Sequence, residues 1–139
     1  WLQCIDAAKT GDTTDSGPIW STEVQKHCVS TPAIYNGMAF VADCGGFVHC
    51  IDAETGKIHW THDTGGEIWA STLVADHKVY VGNRRKRFFI FAADHQKKIL
   101  TEIRLDSACA GTPTAANGVV YVASMRKLYA LALDNQGGK

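Results

Sequence analysis

Residues 50–60 read Cys50-Ile51-Asp52-Ala53-Glu54-Thr55-Gly56-Lys57-Ile58-His59-Trp60: an apolar run ending on an acid, a Thr-Gly turn, and a return run ending on tryptophan. The stretch predicts two β-strands joined by a tight turn. Gly56 reaches a positive φ at no steric cost, and the Asp52 and Thr55 side chains can bond turn backbone. The pattern recurs as CIDAAKTGD (4–12), FAADHQKK (91–98) and LALDNQGG (131–138). Its acid falls at Asp6, Asp52, Asp94 and Asp134, in steps of 46, 42 and 40 residues. Two other series keep the same register: VSTPAIYNG (29–37), ASTLVADH (70–77) and AGTPTAANG (110–118), and FVAD, YVGN and YVAS starting at 40, 80 and 121.

A period near 40 residues matches one four-stranded propeller blade. Turn dipeptides divide each unit into short strands: Asn36-Gly37, Asp76-His77 and Asn117-Gly118 close a first hairpin, and Cys44-Gly45-Gly46 or Arg84 to Arg87 a second. No segment sustains a 3.6-residue apolar period, so helices are expected to be scarce. The fold class is therefore all-β, a β-propeller segment of four-stranded antiparallel blades forming one domain over 1–139. Its units are a partial blade at 1–27, whole blades at 28–62 and 67–104, and a partial blade at 108–139. That predicts thirteen strands, whereas a ring of four blades needs sixteen. An open stack leaves apolar faces at both ends. The expectation is a longer native chain, or failing that several copies closing one ring.

Composition narrows the function classes. Lys+Arg and Asp+Glu number 14 each, so the basic footprint of a nucleic-acid binder is missing and no nucleic-acid partner is expected. No apolar run approaches the length of a membrane span. The five cysteines (4, 28, 44, 50 and 109) show neither C-x-x-C nor a zinc pattern, and read mostly as small apolar side chains.

Residues 50–60 resemble the docking motif of pyrroloquinoline-quinone (PQQ)-like repeats, broadly A-x-D-x-x-T-G-x-x-x-W. The full match is Asp52, Thr55, Gly56 and Trp60. The first unit has Asp6, Thr10 and Gly11, with Trp20 displaced by six inserted residues. The third keeps Asp94 but replaces Thr-Gly and has no following Trp; the fourth keeps Asp134 and Gly137. The resemblance implies that each motif Trp packs between neighbouring blades and pins a Thr-Gly turn. It also implies a bacterial protein with a periplasmic or secreted location. The family includes PQQ- and calcium-dependent alcohol or sugar dehydrogenases as well as binding and scaffolding platforms such as the outer-membrane assembly lipoproteins. Fold does not choose between them. The degenerate third motif and the lack of a carboxylate cluster favour a non-catalytic platform whose partners are a protein or further blades. The alternative is part of a dehydrogenase; a propeller domain appended to another enzyme or complex is a third.

Candidate residues follow from these readings. Aligning Ser71 with Ser30 and Gly111 puts Trp69 in the column of Cys28 and Cys109, where its ring could stack on a planar cofactor, fill core or plug a channel mouth. No catalytic residue or metal ligand is assigned and no cofactor is expected, although PQQ with calcium is the one the family allows; Asp43 and Glu67 are loose carboxylate candidates for it. The run Arg84-Arg85-Lys86-Arg87 sits at a hairpin tip, where four cations repel one another; it is the candidate contact for an acidic partner. His49 and His59 fall on adjacent strands of one blade and are expected to approach each other as exposed imidazoles.

Overall fold

In a computed structural model of the chain, which describes residues 1–12, 14 and 16–132, the repeats fold as separate antiparallel sheets. The first sheet pairs β1 (Leu2–Cys4) with β2 (Trp20–Thr22). The second runs β3 (Ala33–Tyr35), β4 (Met38–Ala42), β5 (Phe47–Asp52) and β6 (Ile58–Asp63) in chain order. The third repeats it with β7 (Leu73–Ala75), β8 (Lys78–Gly82), β9 (Arg87–Ala92) and β10 (Ile99–Arg104). The fourth holds β11 (Thr114–Ala116), β12 (Val119–Ala123) and β13 (Leu128–Ala132). These thirteen strands, with no helix among the described residues, form an open partial propeller. Asp134 and Gly137 lie outside the described residues.

Turn chemistry sets the register. At Asn36-Gly37, Asp76-His77 and Asn117-Gly118 both central residues have positive φ, between 46° and 75°. That is the type I′ geometry whose twist matches the flanking strands. Asp52 accepts at Oδ1 from the Thr55 amide and hydroxyl, both at 2.8 Å, and from the Glu54 amide at 3.1 Å. One carboxylate oxygen thus organises the whole β5–β6 turn. Asp94 stands elsewhere in its turn than the repeat implied. Met38 faces Asp52 across β4 and β5, whereas the equivalent Lys78 faces Ala92. Two extra residues separate Asp94 from its strand, and it bonds only the Gln96 amide in its own turn.

The core lies between sheets. Strand β4 is buried on both faces, and alternation sends Ala39 and Val41 toward the first sheet and Met38, Phe40 and Ala42 toward the third. In β9, Phe88 faces the fourth sheet while Phe89 and Phe91 face the second. Tryptophans close two of the joints. The Trp20 indole N–H donates to the Ala53 carbonyl at 3.0 Å, and Thr22 Oγ1 to the Gly56 carbonyl at 2.5 Å. Gly56 (φ 75°) lies so close that a Cβ there would sit 2.6 Å from the Trp20 ring. One joint along, Trp60 packs between Phe40 and Phe91 and its N–H reaches the Asp94 carbonyl at 2.9 Å. Nearer the inner strands, Ser71 Oγ accepts from the Thr31 amide (2.8 Å) and Thr112 Oγ1 from the Ser71 amide (3.0 Å), so hydroxyls link three successive sheets.

Trp60→Ala removes a ring buried against both sheets and is expected to destabilise the chain by about 3–5 kcal/mol in denaturant melts; unchanged melting would contradict the joint. Gly56→Ala meets both the positive φ and the Trp20 ring, and should cost about 2 kcal/mol or more by the same measurement.

Candidate binding face

In a meander blade, the first and third turns lie at one end and the second turn at the other, with the link to the next blade. Backbone bonds tie that second end together: Cys44 N to His27 O, Arg84 N to Glu67 O and Met125 N to Ala108 O, at 2.8–2.9 Å. The loops 24–29, 64–70 and 105–110 are thereby held against the hairpin tips at 43–46, 83–87 and 124–127.

These bonds also set the register of the loops, and it differs by one residue from that read in the sequence. His27, Glu67 and Ala108 are equivalent, so the column of Cys28 and Cys109 holds Ile68, while Trp69 aligns with Val29 and Ala110. Ile68 is fully buried, and Trp69, one step along an extended chain, turns outward and is 52% exposed. Its ring is not core filling. The Arg84 guanidinium lies 4.0 Å from the ring centroid, within cation–π range.

The basic run divides by role. Arg87 bonds Glu102 Oε1 at 2.6 Å and the Thr64 carbonyl at 2.9 Å, which commits it to the blade. Arg84, Arg85 and Lys86 are exposed at the tip. Lys86 takes the left-handed conformation (φ 68°) that Gly46 supplies in the preceding blade. Asn83 anchors the tip, accepting from the Arg85 and Arg87 amides and donating to the Thr64 carbonyl at 3.0 Å. Lys26, Arg126 and Lys127 are exposed at the same end, with Met125 at 72% exposure beside them. Between the loops opens a basin of about 730 Å³ lined by Lys26, His27, Val29, Cys44, Gly45, Glu67 and Trp69. The sequence repeat places Met125 and Arg126 at the hairpin next to Arg84 to Arg87, but it did not mark Lys26 or Val29 as lining the basin; the loop-to-hairpin bonds bring them there.

Asp43 is not available as a base. It is fully buried, its Oδ1 accepts from the Gly45 and Phe47 amides, and its Oδ2 takes the Lys26 amide and His49 Nε2, both at 3.2 Å. His49 is itself buried, and its Nδ1 meets Thr61 Oγ1 at 3.0 Å, extending the hydrogen-bonded chain from Asp43 across one blade. His49 and His59 do not approach each other, because a register shift between Cys50 and Ile51 separates them. His59 instead meets His95 of the next blade, Nε2 to Nδ1 at 3.1 Å. Among the cysteines, Cys50 and Cys109 are buried and Cys4, Cys28 and Cys44 partly so, all as free thiols. Burial pushes the Cys50 thiol up to about 12, with the Asp94 carboxylate adding to it.

Calcium takes six to eight oxygen ligands. Around the basin the described side chains offer the Glu67 carboxylate, while both oxygens of Asp43 are already engaged. Among the described residues no three His, Cys, Asp or Glu side chains are grouped to hold a metal ion. One face of the Trp69 ring carries the Arg84 guanidinium. The described residues around the basin do not by themselves supply the oxygen ligands of a calcium site.

The family model for outer membrane protein assembly factor BamB matches residues 7–87 and again 46–139. Among solved structures, BamB from Moraxella catarrhalis superposes with a TM-score of 0.73 at 21% identity, over 84% of this chain and 37% of that one. Quinohemoprotein alcohol dehydrogenases from Pseudomonas putida and Comamonas testosteroni give 0.64 and 0.62, at 19% and 23% identity. They are matched over 73% and 70% of this chain and 17% of each enzyme. At these identities the likeness shows the fold. The chain spans about a third of the BamB structure and about a sixth of each dehydrogenase. No curated protein matches it.

Asp106 secures the third tip, accepting at Oδ1 from Ser124 Oγ (2.7 Å), Tyr129 OH (2.9 Å) and Ser107 Oγ (3.1 Å). Its pKa is lowered to about 2 by these bonds, the Ser124 hydroxyl first. A carboxylate held below its ordinary value stabilises the fold above that ordinary value, near 4, and loses the effect as pH falls through the folded one. The melting-temperature gap between the unaltered chain and Asp106→Asn should therefore be widest above pH 4 and close toward pH 2. A gap independent of pH would contradict this.

Proposed function

The chain belongs to the family of outer membrane protein assembly factor BamB, and from that premise we propose that it serves as a non-catalytic binding platform, through the end carrying Arg84, Arg85, Lys86 and Trp69. The observation that carries this reading is the half-exposed Trp69 ring under the Arg84 guanidinium, on the rim of an open basin. Trp and Arg are the residue types most enriched where binding energy concentrates. Lys26, Arg126 and Lys127 are exposed at this end too, and with Arg84, Arg85 and Lys86 these cations outnumber the exposed carboxylates Asp63 and Glu67 beside them, although the chain is neutral overall. The partner that fits is a protein surface rich in Asp and Glu. Charge complementarity of this kind acts mainly on encounter rate and partner choice. A periplasmic, outer-membrane-associated location accompanies the reading, since the family's name describes outer-membrane protein assembly. In the dehydrogenase reading the basin would have to seat a quinone, and its side chains do not favour that.

The test is co-purification of the full chain with outer-membrane assembly components from its native membrane fraction. Arg84, Arg85 and Lys86 are changed to Glu while Arg87 is kept. Binding should weaken about tenfold or more, because like charges brought together cost several kcal/mol. Melting should stay unchanged, since these three side chains are exposed. Equal recovery of the altered and unaltered chains would sink the proposal.

A further inference from the structure

The joints between successive sheets are built alike, with one exception. Strand pairing makes Trp20, Trp60 and Thr101 equivalent: Cys4 faces Trp20, Cys50 faces Trp60 and Ile90 faces Thr101. An indole therefore stands in the first two joints and a small hydroxyl side chain in the third. The walls of the third joint remain. Phe40 and Phe91, which hold the Trp60 ring, correspond to Tyr80 and Leu131. Between them, among the described residues, lies a cleft of about 630 Å³, lined by Tyr80, Ile90, Val120 and Leu131, with Ala115 on the far wall. Tyr80 is 6% exposed and is the most buried of these side chains, while Ile90, Val120 and Leu131 are half-buried. The joint is held nonetheless, by Phe88, Cys109 and Val122 deeper in and by the Ser71–Thr112 bond.

We propose that this cleft is a binding site for a small, flat aromatic molecule of indole size. The reasoning comes from the chain itself. Its preceding joint shows what the same walls enclose, a bicyclic ring between an aromatic and an apolar side chain. Apolar cavities left by a missing ring remain open to ring-shaped ligands, because the close-packed surroundings collapse only in part. The volume lies within the range of small-molecule sites. Asp76 and Lys78, an ion pair at the mouth, add a polar rim. The site lies on blade strands and the first hairpins, away from the basic tips, so it is independent of the platform reading.

The probe is indole, titrated into the full chain and followed by calorimetry and thermal melting. The expected Kd is near or below about 1 mM, and saturation should raise the melting temperature by roughly 3 °C or more. Thr101→Trp supplies the missing ring from within, and Ala115→Phe fills the cleft from the opposite wall. Each should weaken indole binding at least tenfold, and the second variant decides the matter if the first fails to fold. No heat and no shift with the unaltered chain would overturn the proposal. So would undiminished binding in the altered chains, which places the ring elsewhere.

Discussion

Two of the three joints between sheets depend on one contact, the indole of a motif tryptophan laid against the next sheet with its N–H spent on a backbone carbonyl. A blade buries apolar side chains on both faces, as β4 does, and so cannot be stable alone. Its neighbours must be fixed at a defined distance and twist. A tryptophan suits this because it buries some 150–250 Å² and still offers one directional donor. At about 25 cal/mol per Å², that burial is worth roughly 4–6 kcal/mol for the buried Trp60, more than any hydrogen bond or ion pair beside it, and less for the half-buried Trp20. Gly56 completes the arrangement, since any side chain there would occupy the space of the Trp20 ring.

Function on such a scaffold follows from alignment. Once the joints fix the sheets side by side, all second hairpins and linking loops fall at one end. Residues far apart in sequence, Lys26, Trp69, Arg84 and Met125, then share one rim. Polar anchors hold each tip at this end, the buried Asp43 and Asn83 and the half-buried Asp106–Ser124 pair. Exposed cations are thus mounted on bonded hairpins rather than on loose loops, which reduces the ordering cost a partner must meet.

The repeat, the strand pattern and the first-hairpin turns could be read from the sequence because period and turn chemistry are local properties. Position within the repeat was harder. A one-residue difference in the loop before β7 places Ile68, not Trp69, in the buried column, and strand alternation converts that single step into opposite faces. The bulge in the β5–β6 pairing similarly sends His49 inward and His59 toward the next blade. Asp94 matched the motif by type but stands two residues further along its turn. The Ser71 and Thr112 hydroxyl links lay within a repeat series visible in sequence, yet their role depends on the neighbouring blade. The clefts and the basin were not legible at all, since each is shaped by residues about 40 positions apart.

The most direct test of the stacking account is hydrogen exchange at the four indole N–H groups, each resolved by NMR. If tryptophans lock the joints, the Trp60 N–H exchanges only on global unfolding and the Trp20 N–H is strongly protected. Trp69 and Trp1, exposed at 52% and 78%, should exchange freely and act as internal references. A Trp60 indole exchanging as fast as that of Trp69 would contradict the central claim.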